Sequence, residues 1–378
     1  MSAADPSASY SPGLEGVVAG QTAVSAITDG LRYRGYAVGE LCDRRTFDEV
    51  AYLLLHDDLP AAGQLKDFRE RVAMARRLPD PLRPLFAALP RWTPPLDVLR
   101  TATSILAHFD QDAADNSPEA NLRKSERLLA QLPVAVADHY RISNGLPPVP
   151  ARQDLPHAAN FLWMLRGSEA PPEQVKALDV SLILYAEHEF NASTFTARVV
   201  VSTMADLHAA VVAAIGALKG PLHGGANEKV MDVVRAAGTP AAAEAWTLDA
   251  LKRKERIMGF GHRVYKAGDV RAGILKGYCT ALAKGHPPLE AAEATAEVIE
   301  TVMAREKGMY PNLDWPAGRL YHAMGLETPL YTPMFAMSRV AGWAAHVMEQ
   351  LANNRLIRPR SLYIGHGPRA VPAAGGGA

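Results

Sequence analysis

The chain has 378 residues, 40 of them Lys or Arg and 40 Asp or Glu, so its formal net charge at neutral pH is zero. That balance lacks the basic excess of a nucleic-acid binder, and no run of about 18 apolar residues is present to span a membrane. With 48% hydrophobic residues, the chain is long enough for one large domain or two unequal ones, with a sizeable core.

Residues 1–12 read as a disordered lead, with neither the apolar run nor the basic start of a targeting peptide. Val17 to Tyr36 is the β-like part: Val24, Ser25 and Ala26 alternate, and Asp29-Gly30 supplies a turn before Leu31-Arg32-Tyr33. Helices follow almost without break. Thr46 and Glu49 spell a capping box, and Phe47, Val50, Ala51 and Leu54 fall on one face behind it.

Further helical stretches are predicted near 96–109, 121–140, 157–166, 172–188, 205–218, 240–256, 270–284, 289–306 and 331–352, with Pro133 kinking the second. Ala209–Ala217 is almost entirely small or aliphatic, so its helix packs closely in a core or against another subunit. The end of the chain, Ala-Ala-Gly-Gly-Gly-Ala, reads as a disordered tail. With no βαβ alternation and no Gly-rich phosphate loop, the expected fold is mostly α with a small N-terminal β element. Cys42 and Cys279 form no disulfide framework, which fits a reducing, cytoplasmic setting.

Four segments concentrate His, Arg, Asp and Gly: Ala186–Phe195 (AEHEFNASTF), Gly220–Lys229 (GPLHGGANEK), Gly259–Arg271 (GFGHRVYKAGDVR) and Pro311–Gly318 (PNLDWPAG). His223 sits in a Gly-rich turn before a helix starting near Ala226, where the helix dipole would keep it neutral and a hydrogen-bond donor. Gly259 and Gly261 flank Phe260 before His262, and their backbone N–H groups are open to a flat base or a phosphate, with Lys266 and Arg271 nearby. Asp314 lies in a loop beside Trp315, whose bulk would desolvate the carboxyl and suit it to act as a base. Arg339 and Arg358, on a helix and after it, suit carboxylates. Each feature alone has an ordinary alternative: a tight-turn His, a solvated basic loop, an N-capping Asp, a surface Arg. His188, His223 and His262 lack metal-ligand spacing and no Cys joins them, so no metal is expected.

Together and in this order, these segments resemble the citrate synthase family. The likeness runs from Pro12-Gly13-Leu14-Glu15-Gly16 and Leu31-Arg32-Tyr33-Arg34-Gly35-Tyr36 to Arg358-Pro359-Arg360-Ser361. It implies a two-domain helical fold, with a large domain of residues 1–222 completed by 327–378 and a small domain of residues 223–326 that closes over the substrates. It also implies that acetyl-CoA is condensed with oxaloacetate and that citryl-CoA is then hydrolysed, with no cofactor beyond the CoA thioester substrate. The triad falls on His223, His262 and Asp314, and oxaloacetate binding on His188, Arg271, Arg339 and Arg358. CoA contacts fall on Gly259, Phe260, Gly261 and Lys266, and the acyl pocket on Trp315 and Phe335. The family's counterpart of Arg358 reaches the neighbouring subunit's site, which implies a homodimer.

One departure is visible. Trp315-Pro316-Ala317-Gly318 stands where many relatives have Phe, then Tyr or Phe, then Ser, and this leaves 2-methylcitrate synthesis from propionyl-CoA as an alternative. A catalytically inactive helical scaffold is the reading from another class, and the intact triad argues against it.

Overall fold

The computed structural model describes residues 10–262, 264, 265 and 268–371. The expected disordered tail, Lys266 and most of the expected N-terminal lead lie outside the described residues. An antiparallel sheet of three two-residue strands, β1 (Ser25–Ala26), β2 (Arg32–Tyr33) and β3 (Tyr36–Ala37), opens the fold in the order β1-β2-β3. Arg34 and Gly35 join β2 to β3 with φ of 46° and 87°. Two positive φ values in a two-residue loop match the twist of a tight hairpin, and the β reading had missed this turn.

The helices are α1 (Val38–Arg44), α2 (Phe47–His56), α3 (Ala62–Met74), α4 (Leu82–Ala88), α5 (Pro95–His108), α6 (Pro118–Ser143), α7 (His157–Arg166) and α8 (Pro172–Tyr185). They continue with α9 (Ala192–Val201), α10 (Leu207–Leu218), α11 (Ala226–Ala237), α12 (Pro240–Lys252), α13 (Val270–Ala283), α14 (Pro287–Lys307), α15 (Asp314–Ala323) and α16 (Tyr331–Ala352). No helix among the described residues is long and apolar enough to cross a membrane. The capping box of α2 is formed: the Thr46 side chain accepts from the Glu49 N–H, and the Thr46 N–H donates to the Glu49 carboxylate at 2.9 Å. Helix α6 continues through Pro133 to Ser143. The expected helix over 172–188 stops at Tyr185, and the turn that follows holds Glu189 at φ 51°.

Helix α16 organises the large core. It is buried all round from Tyr331 to Val347, which marks a central helix rather than an amphipathic surface one. It packs on α2, α6, α8, α9 and α10. Gly342 lets it lie flush on the end of α8, because a Cβ there would collide with the Ala186 carbonyl and the Glu187 carboxylate. A second core gathers Val230, Met231 and Val234 of α11, Ala296, Ile299 and Met303 of α14, and Phe260 and Trp315. Helix α15 joins the two, sending Trp315 into the second core and Leu320 and Tyr321 into the first. Gly318 brings α15 against α11, since a Cβ would meet the Asn227 carbonyl at 2.6 Å.

Candidate active site

Asp314 is the first residue of α15, not a loop residue as expected. Pro316 costs nothing there, because first-turn N–H groups have no helical partner. Asn312 Oδ1 accepts the Asp314 N–H at 3.0 Å. Tyr185, at the end of α8, donates its hydroxyl to Asp314 Oδ1 at 2.8 Å. Burial pushes the Asp314 carboxyl up to about 6, against the opposing pull of the Tyr185 hydrogen bond and of Arg271 and Arg339. A carboxylate so placed is ionised near neutrality yet basic enough to take a proton.

His223 precedes α11 and meets Ser193 of α9. The Ser193 N–H points at His223 Nε2 at 3.3 Å, and the Ser193 hydroxyl lies 2.8 Å from it. Trp343 Nε1 in turn donates to that hydroxyl oxygen at 3.1 Å. The Ser193 hydroxyl gives its own proton to Asn191 Oδ1 at 2.8 Å, so it is the Ser193 N–H, which can only donate, that assigns Nε2 as acceptor and the proton to Nδ1. The ring's pKa is lowered to about 4, by burial first and Arg339 second. The expected neutrality holds, but burial and a neighbouring cation produce it rather than the helix dipole.

His262 is fixed in the opposite tautomer. The N–H groups of Val264 and Tyr265 both point at its Nδ1, at 3.1 and 3.3 Å, which leaves the proton on Nε2. Its ring stacks on Tyr265 with centroids 4.6 Å apart and meets His188 edge-on at 5.1 Å. His188 Nε2 is 3.0 Å from the Tyr265 hydroxyl. Burial, then Arg271 and Arg339, pull the His188 pKa well down.

Two buried arginines supply positive charge. Arg271 is paired in bidentate fashion with Asp269, at 3.0 and 2.8 Å. Arg339 lies over the Phe335 ring at 4.6 Å, and its Nη1 is buried with no hydrogen-bond partner among the described residues. Burial lowers its pKa to about 10, so it stays charged near neutrality. A buried guanidinium with a spare donor is a receptor for an anionic oxygen. Phe335 links the groups, touching Tyr185 at 4.4 Å and His223 at 6.2 Å between centroids.

Trp315, Phe260 and Gly261 are placed differently from the expectation, and Arg358 lies apart from these groups in its own chain. Trp315 is fully buried in the second core and donates its N–H to Glu300, so its ring does not line an open acyl pocket. Phe260 packs on Trp315 at 4.7 Å, and the Gly261 N–H is already bonded to the Tyr310 carbonyl at 2.9 Å, so neither is offered to a ligand as expected. Arg358 follows α16 in an exposed segment, and among the described residues its side chain has no hydrogen bond or ion pair.

The sequence reading missed Tyr185, Ser193, Tyr265, Asn312 and a buried network behind His188. In that network Glu187 Oε1 accepts from Ser25 at 2.9 Å and from His346 Nε2 at 2.8 Å, and Arg198 Nη1 meets His346 Nδ1 at 3.0 Å. Among the described residues, no group of three or more His, Cys, Asp or Glu is arranged to hold a metal ion.

The profile of the citrate synthase C-terminal domain matches residues 13–360. The chain belongs to the citrate synthase family. It is 45% identical to citrate synthase 2 of Bacillus subtilis over 355 residues, 93% of this chain and 95% of that one. It is equally 45% identical to a 2-methylcitrate synthase of Mycobacterium tuberculosis over 366 residues, 95% and 92% of the two chains. The citrate synthase of Pyrobaculum aerophilum superposes with a TM-score of 0.88 at 40% identity, over 96% of this chain and 94% of that one. The citrate synthase of Thermoplasma acidophilum, in its complex with carboxymethyl coenzyme A and oxaloacetate, gives 0.89 at 34% identity, over 97% and 99%. As a member of this family the protein is an acyltransferase, and the scaffold reading falls.

Proposed function

We propose that the enzyme condenses acetyl-CoA with oxaloacetate and hydrolyses the citryl thioester to citrate and CoA, supplying the tricarboxylic acid cycle. One observation carries the reading: His223 turns Nε2 and His262 turns Nδ1 toward backbone N–H donors, so each can present its other ring nitrogen, while the Asp314 carboxyl is raised to about 6. Asp314 takes a proton from the acyl methyl group. His223 donates from Nδ1 to the thioester oxygen, stabilising the enol as charge leaves the carbon. The enol carbon attacks the ketone of oxaloacetate, and His262 gives its Nε2 proton to the oxygen that becomes the hydroxyl. Water then cleaves the thioester and releases CoA.

His188, Arg271 and Arg339 hold the dicarboxylate, the spare donor of Arg339 taking one carboxylate oxygen. The unit of residues 223–326 closes over the substrates, excluding water until condensation is complete. CoA is held on that side of the cleft, Lys266 meeting a phosphate. Neither substrate needs a further cofactor. The free, buried Cys42 and Cys279 suit the cytoplasm.

A homodimer completes the site, with Arg358 donated across the interface. Two features support this. The segment after α16 is largely exposed, with Leu356, Leu362, Tyr363 and Ile364 open to solvent and only Ile357 half-buried between Ala352 and Val371. Helix α10 buries Leu207, Ala210, Val211, Ala214 and Ile215 but leaves Ala209, Val212, Ala213, Gly216 and Ala217 partly open on the other face.

The equal likeness to a 2-methylcitrate synthase favours a second reading, propionyl-CoA in place of acetyl-CoA. One methylene is worth only about 1–3 kcal/mol. The test is release of the CoA thiol with oxaloacetate and each acyl-CoA side by side. A higher kcat/KM for acetyl-CoA supports the first reading, and a higher value for propionyl-CoA replaces it.

A further inference from the structure

We propose that Glu300 is a positioning residue for the condensation: through Trp315, its carboxylate holds Asp314 and the His262 loop in one register. The inference rests on the condensing activity proposed above. Trp315 follows Asp314 directly on α15 and is among the largest fully buried side chains. Its Nε1 donates to Glu300 Oε1 at 2.8 Å. The Arg319 guanidinium covers the ring at 5.5 Å, and Phe260 meets it at 4.7 Å between centroids. Gly259 sits on the indole with φ 87°, and a Cβ there would come within 3.0 Å of Trp315. Only glycine permits that approach.

The backbone then zips the two segments together. Asn312 N–H donates to the Gly259 carbonyl at 2.9 Å, and Gly261 N–H to the Tyr310 carbonyl at 2.9 Å. The Asn312 amide donates to the Gly261 carbonyl at 3.0 Å and accepts the Asp314 N–H at 3.0 Å. The segment carrying His262 and the segment carrying Asp314 are thus one unit resting on Trp315.

Glu300 is where this unit meets its supports. Its Oε2 takes Lys276 Nζ of α13 at 2.7 Å, and its Oε1 faces Arg319 Nη2 of α15 at 3.3 Å. Arg319 is 2% exposed, none of its three nitrogens is hydrogen-bonded among the described residues, and Glu293 balances it from the other side at 3.3 Å. A buried guanidinium without hydrogen bonds is a poor stabiliser of a core, where apolar side chains of the same volume serve as well or better. The arrangement is explained by orientation: one carboxylate sets α13, α14 and α15, and with them the reacting groups, in a single geometry.

The experiment uses the full-length enzyme and the variants Trp315→Phe, Glu300→Ala, Glu300→Gln and Trp315→Phe/Glu300→Ala, measuring kcat, both KM values and the urea midpoint. Misplacing a base by a fraction of an ångström lowers kcat, whereas oxaloacetate still meets His188 and Arg339 on the large core and Arg271, which its own bidentate pair with Asp269 holds. Trp315→Phe and Glu300→Ala should each lower kcat about tenfold or more, with oxaloacetate KM within about twofold. Glu300→Gln keeps an acceptor for the indole N–H and should stay within about threefold of wild-type kcat. The double variant should be no worse than the poorer single one, because both remove the same support. Unchanged kcat with a lowered urea midpoint, or losses that multiply in the double variant, overturns the proposal. If Trp315→Phe does not fold, the contrast between Glu300→Ala and Glu300→Gln decides. A wild-type enzyme that releases no CoA overturns the activity itself. Active wild type with unaffected variants overturns only the role of Glu300.

Discussion

Asp314 illustrates how one carboxyl becomes a base. Burial lifts it to about 6, while the Tyr185 hydroxyl at 2.8 Å stabilises the charged form. The base works deprotonated, so kcat/KM should fall as pH drops through about 6. Tyr185→Phe removes the donor that favours the carboxylate, so the acid limb should move to higher pH. A limb that stays in place, or moves down, would show that Tyr185 does not tune the base. Asp314→Asn should cost roughly 10²–10⁴ in kcat while oxaloacetate affinity, measured by protection of the urea midpoint, stays near normal. Lost oxaloacetate protection with kcat preserved would remove the assignment. The sequence reading anticipated the desolvation of this carboxyl but not the Tyr185 hydrogen bond, because Tyr185 lies 129 residues from Asp314.

At the scale of elements, strongly periodic helices were readable and several others were not. Thr46 and Glu49 announced α2, and the apolar run of 331–352 announced α16. Helix α15 was hidden because Pro316 and Gly318 look like breakers. In the fold, Pro316 sits in the first turn and Gly318 permits contact with α11. Helix α9, rich in Val and Thr, carries no strong helical preference of its own and is held by the Asn191 cap and its packing on α10 and α16. The flush seat of α16 on α8 yields a prediction. Gly342→Ala puts a methyl group against the Ala186 carbonyl and the Glu187 carboxylate, which should cost about 1–3 kcal/mol. The same displacement moves His188, next in sequence to Glu187, so oxaloacetate KM should rise as the urea midpoint falls. A lowered midpoint with normal KM would show that the contact supports the core alone.

At the scale of the molecule, the exposed segment after α16 and the open face of α10 make two linked predictions. Ala213→Glu places a charge on that face and should yield monomers by size-exclusion chromatography with light scattering. Those monomers should lack activity if Arg358 serves a partner, and full activity in a monomer would remove the shared site. Mixing Asp314→Asn with Arg358→Leu subunits tests it more directly. Random exchange makes about half the dimers mixed, each with one intact site, so roughly a quarter of wild-type activity should return. With exchange confirmed by mass, activity no greater than the mean of the parents would assign Arg358 to its own subunit.

By itself the sequence determined the mostly helical class, the capping box of α2 and the family. These are properties of local spacing and residue type, and they survive without knowledge of the fold. The tertiary structure alone decided which partners the site residues meet. Opposite tautomers of His223 and His262 come from Ser193 and from the Val264 and Tyr265 N–H groups. The inward turn of Trp315 comes from Glu300, and the spare donor of Arg339 from its burial against Phe335. Each depends on burial and on partners distant in the chain or on backbone orientation, and neither quantity is carried by the spacing of letters in a sequence.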